Sequence, residues 1–101
     1  MKRVTTYHEG GRTFYICKDS RGYWGIENKY VDPETGRLTI QLNGITGFHS
    51  ATISETLEKV SNKIKVDYLV SIGMDSMKAA CIVIGGITPE EYDKRIAEVK
   101  A

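Results

Sequence analysis

The chain has 101 residues, of which 41% are hydrophobic and 27% charged, with 14 basic and 13 acidic side chains. That length has room for one hydrophobic core, and this composition is typical of a folded domain and not of a disordered chain. A net charge of +1 argues against a protein that holds nucleic acid by charge alone, since duplex binders neutralise several phosphates at once. We therefore expect one domain over residues 1–101, strand-rich in 1–50 and helix-rich in 51–101.

The first half of the chain contains four strand-like segments, at residues 4–8, 13–18, 23–28 and 37–43. Turn sequences separate them, including the paired Gly10 and Gly11 and the segment 32–36, in which a proline presets the turn and a glycine ends it. The fourth segment shows the cleanest period of two, because polar residues alternate with Leu38, Ile40 and Leu42. Residues 44–50, with two glycines, favour a loop.

Helical signals begin at Thr52, which fits a capping box with Glu55, although Ser54 is an equally good cap. Apolar residues then recur at helical spacing until Gly73, a natural stop: Ile53, Leu57, Val60, Ile64 and Tyr68. A shorter helix is expected from residue 75 or 76 to residues 85–86, but residues 79–84 would suit a buried strand equally well. Thr88 and Pro89 begin a last helix, with an inner face made of Tyr92, Ile96 and Val99.

These patterns predict an α+β fold, in which an antiparallel β-meander of about four strands precedes two or three helices packed on one face of the sheet. Alternation along the strands is expected to turn seven apolar side chains toward the helices: Phe14, Ile16, Trp24, Ile26, Leu38, Ile40 and Leu42. The other face would then have no helix to cover it and would present Tyr15, Cys17, Tyr23, Gly25, Thr39 and Gln41.

Side chains that carry out catalysis are few and poorly grouped in this sequence. Cys17 and Cys81 belong to no Cys-x-x-Cys pair, and free thiols in a reducing compartment are favoured over a single disulfide. His8 and His49 have no partner at metal-ligand spacing, so we predict no metal site and no cofactor. A cysteine nucleophile with a histidine base stays an alternative, but no glycine-framed nucleophile turn supports it, and we expect no catalytic residues and no enzyme.

Aromatic and basic residues interleave between residues 7 and 37. Sheets that bind single-stranded nucleic acid use this mixture, because bases stack on aromatic rings while cations follow the phosphates. Tyrosine and arginine are also enriched at protein–protein interfaces, and the near-zero net charge favours a protein partner. The predicted binding residues lie on the uncovered face and its rim: Tyr15, Tyr23, Arg12, Arg21, Arg37 and Gln41.

The predicted function is that of a small non-enzymatic protein that binds the surface of a larger protein, with binding of single-stranded nucleic acid as the alternative. An inhibitor or accessory factor from a phage or mobile element, of the anti-CRISPR or another anti-defence type, is a biological hypothesis that composition and spacing do not establish. A homodimer through the tyrosine-bearing face stays open. Residues 1–8 do not resemble a signal peptide, and the apolar stretch 79–84 is too short to span a bilayer, so a cytoplasmic protein with no membrane partner is expected.

Overall fold

The computed structural model describes residues 2–39 and 48–100. Within these ranges the chain forms strands β1 (Lys2–Glu9), β2 (Arg12–Asp19), β3 (Gly22–Glu27) and β4 (His49–Ser50). Helices α1 (Ile53–Ser71), α2 (Ser76–Val83) and α3 (Pro89–Lys100) follow, and a 3-10 turn occupies Asn28–Tyr30. A sheet followed by helices confirms the predicted α+β class.

The strands form one antiparallel sheet in the order β1-β2-β3-β4. The first turn is tight, because Glu9 pairs with Arg12 across Gly10 and Gly11, which have positive φ angles of 58° and 75°. Such angles favour glycine, which has no Cβ to clash with the backbone. The first three predicted strands are confirmed, each with ends within two residues of those expected.

Among the described residues, the fourth strand of the sheet lies in a different segment from the one that the alternating pattern predicted. The strand that pairs with β3 is β4, in a segment expected to be a loop, and the Gly25 amide donates to the Phe48 carbonyl at 2.9 Å. Of the predicted strand 37–43, residues 37–39 belong to a short hairpin in which Leu38 bridges to Val31, while residues 40–43 lie outside the described residues. The turn at residues 32–36 reverses the chain and so brings Leu38 beside Val31 instead of beside β3.

Helix α1 begins as predicted, with the Glu55 amide donating to the Thr52 hydroxyl at 3.2 Å. Its first half packs on the sheet, where Val60 is fully buried and approaches Gly25 so closely that a Cβ on that glycine would lie 2.5 Å from Val60 Cγ2. Thr56 is also fully buried on this side. We call the side of the sheet that carries α1 the first face and the opposite side the second face.

The register of β2 and β3 contradicts the prediction that Phe14 and Ile16 lie on the same face of the sheet as Trp24 and Ile26. Ile16 pairs with Gly25 and Cys17 pairs with Trp24, because a two-residue turn joins Asp19 to Gly22. Directly paired residues point to the same side of a sheet. Phe14 and Ile16 therefore lie on the first face, whereas Trp24 and Ile26 are buried on the second face, and Gly25 lies on the first.

Residues 62–101 form a second compact unit, separate from the unit of residues 1–61. The Asp75 carboxylate caps α2 by accepting from the amides of Met77 and Lys78 at 3.0 and 3.2 Å. Residues 79–83 are helical, so the alternative of a strand is wrong. Lys78 pairs with Asp93 of α3 at 2.9 Å, and Thr88 caps α3 through the Glu91 amide at 3.1 Å.

Two residues expected on inner helix faces are exposed instead. Tyr68, in the predicted apolar stripe of α1, is 62% exposed, and Val99 near the end of α3 is 84% exposed. Val60 and Ile64 in the same stripe are buried. The buried part of the α1 stripe thus ends before Tyr68.

Candidate functional site on the second face of the sheet

The second face carries its own apolar cluster. Trp24 and Ile26 are 7% and 1% exposed there, and Cys17 packs against them. The chain after β3 folds back over this cluster and adds Tyr30, Val31 and Leu38. The prediction of an uncovered second face is therefore wrong, because the segment after β3 buries part of this face.

The covering segment is a hairpin formed by residues 30–39, which we call the cover hairpin. The Asp32 amide donates to the Arg37 carbonyl at 2.8 Å, and the Thr39 amide donates to the Tyr30 carbonyl at 2.9 Å. At its tip the Asp32 carboxylate accepts from the amides of Glu34 and Thr35 at 2.8 and 3.3 Å. These bonds confirm the turn predicted for residues 32–36 and keep Val31 and Leu38 side by side.

A cavity of about 930 Å³ lies between the cover hairpin and the strands of the second face. Ile26, Val31 and Leu38 give it apolar walls, and Tyr15 and Cys17 line it from β2. Three cationic residues also line it, namely Arg3 from β1, Lys29 from the 3-10 turn and Arg37 from the cover hairpin. We call this space the basic cavity.

The charges of the basic cavity are unevenly compensated. The Arg3 guanidinium lies 4.7 Å from the centroid of the Tyr15 ring, a cation–π contact that leaves its positive charge in place. The Lys29 ammonium is 3.7 Å from the carboxylate of Glu27, a residue that does not line the cavity. The acid of the lining, Asp32, already accepts two backbone hydrogen bonds. The lining therefore has three cationic residues and the single carboxylate of Asp32, which is an excess of positive charge.

Cys17 is half-buried in this cavity, and burial raises the pKa of its thiol, an effect that the nearby Arg3 opposes only in part. A neutral thiol is a poor nucleophile. His8 contacts the Thr13 hydroxyl at 2.9 Å, and His49 contacts the Arg21 carbonyl at 2.7 Å. Each histidine thus has an interaction that fits a structural role.

Polar groups on the first face are engaged within the fold. Arg12 donates two hydrogen bonds to Glu27, at 2.7 and 2.9 Å, and these bonds hold the pKa of Glu27 below its usual value. The Tyr7 hydroxyl donates to the Glu9 carboxylate, which raises the pKa of Tyr7. Ser61 of α1 donates to the same carboxylate at 2.8 Å. These contacts connect the strands and α1 and are typical of structural roles.

The predicted binding residues do not form one surface. Tyr15 and Arg37 meet in the basic cavity, whereas Tyr23, which pairs with Lys18, lies on the first face with Arg12. Arg21 lies in the turn between β2 and β3, with its guanidinium 4.9 Å from the Trp24 ring. Gln41 lies outside the described residues.

Sequence reasoning missed Arg3, Lys29 and Val31 as cavity residues. The signal for the cover hairpin was present, because Val31 and Leu38 flank the strong turn sequence of residues 32–36. Apolar residues on both sides of such a turn predict a hairpin. The hairpin was missed because residues 37–39 were assigned to a strand of the main sheet.

Among residues 2–39 and 48–100, no group of three or more histidine, cysteine or acidic side chains is placed to hold a metal ion. No helix in those ranges has the length and apolar character needed to cross a membrane. Comparison with protein-family models, curated proteins and solved structures gives no match.

Proposed function

We propose that this chain is a small non-enzymatic binding protein that contacts a larger protein through the basic cavity, as an inhibitor or accessory factor does. The observation that supports it is the open cavity of about 930 Å³, where Tyr15 and two arginines border apolar walls. Interfaces are enriched in tyrosine and arginine, since both bury a large area while keeping a polar tip.

Binding of single-stranded nucleic acid fits the same surface less well. Base stacking requires an open aromatic face. The Tyr15 ring carries the Arg3 guanidinium at 4.7 Å, and the Tyr30 ring carries the Lys29 ammonium at 5.1 Å. Trp24 is almost fully buried. The Tyr15 and Tyr30 rings thus lie against cations, and the Trp24 ring lies in the apolar cluster of the second face.

Site-specific photo-crosslinking in cells of the source organism tests the proposal. A benzoylphenylalanine replaces Pro33, an exposed residue of the cavity lining, and in a control protein it replaces Glu55, exposed on α1. We expect a defined protein adduct from position 33 that is absent from position 55 and is lost on adding Tyr15→Ala. Mass spectrometry identifies the partner, and an adduct of twice the chain mass identifies a homodimer.

Equal protein adducts from both positions would contradict the proposal. Binding of a labelled oligonucleotide that weakens steeply with added salt, together with no adduct at position 33, would favour the nucleic-acid alternative.

A further inference from the structure

We propose that the basic cavity binds an acidic peptide segment of its partner, with an apolar side chain of that segment between carboxylates that pair with Arg3 and Arg37. This inference rests on the protein-binding function proposed above and specifies the chemistry of the partner.

The two arginines are held by different parts of the fold. The Arg3 guanidinium lies against the Tyr15 ring, at 4.7 Å from its centroid. The backbone of Arg37 is fixed in the cover hairpin, since its carbonyl accepts from the Asp32 amide at 2.8 Å and its amide donates to the Thr35 hydroxyl at 3.2 Å. The oriented Arg3 guanidinium loses less freedom when it pairs with a carboxylate, and the planar guanidinium of either arginine suits two parallel hydrogen bonds.

The charge of the cavity favours an anionic ligand. Within the part of the chain that the structure describes, neither Arg3 nor Arg37 takes part in an ion pair. The Asp32 carboxylate, which accepts amides of its own turn at 2.8 and 3.3 Å, brings one negative charge to a lining that has three cationic residues. Carboxylates of a bound segment would supply the missing negative charge.

The apolar walls of the basic cavity favour a peptide with an apolar side chain over an anion that is only polar. Ile26, Val31 and Leu38 line the cavity beside the arginines, and apolar walls with a few placed polar groups are typical of binding pockets. An apolar side chain would bury its surface on these walls while flanking acids reach the arginines. A nucleic acid would need an open ring for stacking, and Arg3 covers the ring of Tyr15.

Fluorescence polarisation with the purified full chain tests this inference. The probe is a short labelled peptide with one central leucine flanked on each side by two glutamates, and its control carries glutamines in place of the glutamates. We expect the glutamate peptide to bind and each of Arg3→Gln and Arg37→Gln to weaken it about tenfold, which corresponds to about 1.4 kcal/mol. Arg95→Gln, an exposed arginine of α3, removes the same charge and should change the affinity less than about twofold.

Circular dichroism and thermal melting establish that the variants are folded before the affinities are compared. Failure of the glutamate peptide to bind, equal binding of both peptides, or affinities unchanged in Arg3→Gln and Arg37→Gln would overturn the inference. Tighter binding of a labelled oligothymidine, lost in the same two variants, would also overturn it.

The two proposals fail in different ways. A protein adduct at position 33 that persists in excess glutamate peptide and in both arginine variants would refute the acidic segment and leave the protein-binding function standing. Specific peptide binding without any protein adduct at position 33 would instead count against the proposed function.

Discussion

Gly25 lies where β3 passes beneath α1, and its missing side chain makes that approach possible. A Cβ at this position would lie 2.5 Å from Val60 Cγ2, closer than two carbon atoms can approach without displacement. Val60 is fully buried, so it has little room to move away. The close packing of α1 on the first face therefore depends on this glycine.

We expect Gly25→Ala to reduce the free energy of unfolding by about 1–3 kcal/mol, because the added methyl group overpacks the first face. Urea denaturation followed by circular dichroism measures the change. The matched test is the double variant Gly25→Ala with Val60→Ala, which removes the atom that clashes. Its loss of stability should be smaller than the sum of the two single losses by more than about 0.5 kcal/mol, and strict additivity would contradict the described contact.

At the scale of elements, the cover hairpin is what converts the second face from an open surface into a walled cavity. It places Val31 and Leu38 over Trp24 and Ile26 and brings Arg37 to the cavity lining. Trp24 is the single tryptophan of the chain, so its fluorescence reports on the surroundings of this one residue.

We expect Leu38→Ala to shift the emission of Trp24 to longer wavelength and to increase its quenching by acrylamide, because water reaches the indole where the leucine side chain packed. Circular dichroism should stay that of a folded protein. Leu69→Ala, at a half-buried leucine in the second half of α1, is the matched control and should leave the emission unchanged. An unchanged spectrum in Leu38→Ala would show that the hairpin does not cover Trp24.

Local signals in the sequence predicted the elements well. Thr52, Asp75 and Thr88 accept amide hydrogen bonds at the starts of the three helices, as short-range capping rules indicate. The first hairpin follows equally from its paired glycines. Each of these features depends on residues within one turn of chain, where the sequence carries the information directly.

Assignment of faces failed because it depends on register, and a shift of one residue moves every side chain of a strand to the other face. The turn between β2 and β3 has two residues, which pairs Cys17 with Trp24 and Tyr15 with Ile26. Counting outward from that turn would have separated Tyr15 from Tyr23. The candidate site was predicted only in part for this reason, since Tyr15 and Arg37 line one cavity and Tyr23 lies on the other side of the sheet.

At the scale of the whole molecule, buried apolar residues are unevenly distributed between the two compact units. Among the described residues, the unit of residues 1–61 contains Phe14, Ile16, Trp24, Ile26 and Val60 as buried hydrophobic residues. The unit of residues 62–101 contains Ile64 and Ala79 in that class, and α3 has no buried residue. Local opening should therefore require less free energy in α3 than in the central strands.

Hydrogen exchange measured residue by residue by NMR tests this difference in stability. After correction for intrinsic rates, we expect amides of β2 and β3 to be protected roughly a hundredfold or more beyond those in the last turns of α3, a difference of about 2.7 kcal/mol in opening free energy. The fully buried Phe14 and Ile16 should be among the slowest, because their amides exchange only when the sheet opens. The exposed edge strand β1 is the internal control, since it belongs to the same sheet but has few buried side chains and should exchange faster than β2. Equal protection in α3 and β2 would mean that the chain opens as one cooperative unit, in which case buried apolar area in each unit would not set its stability.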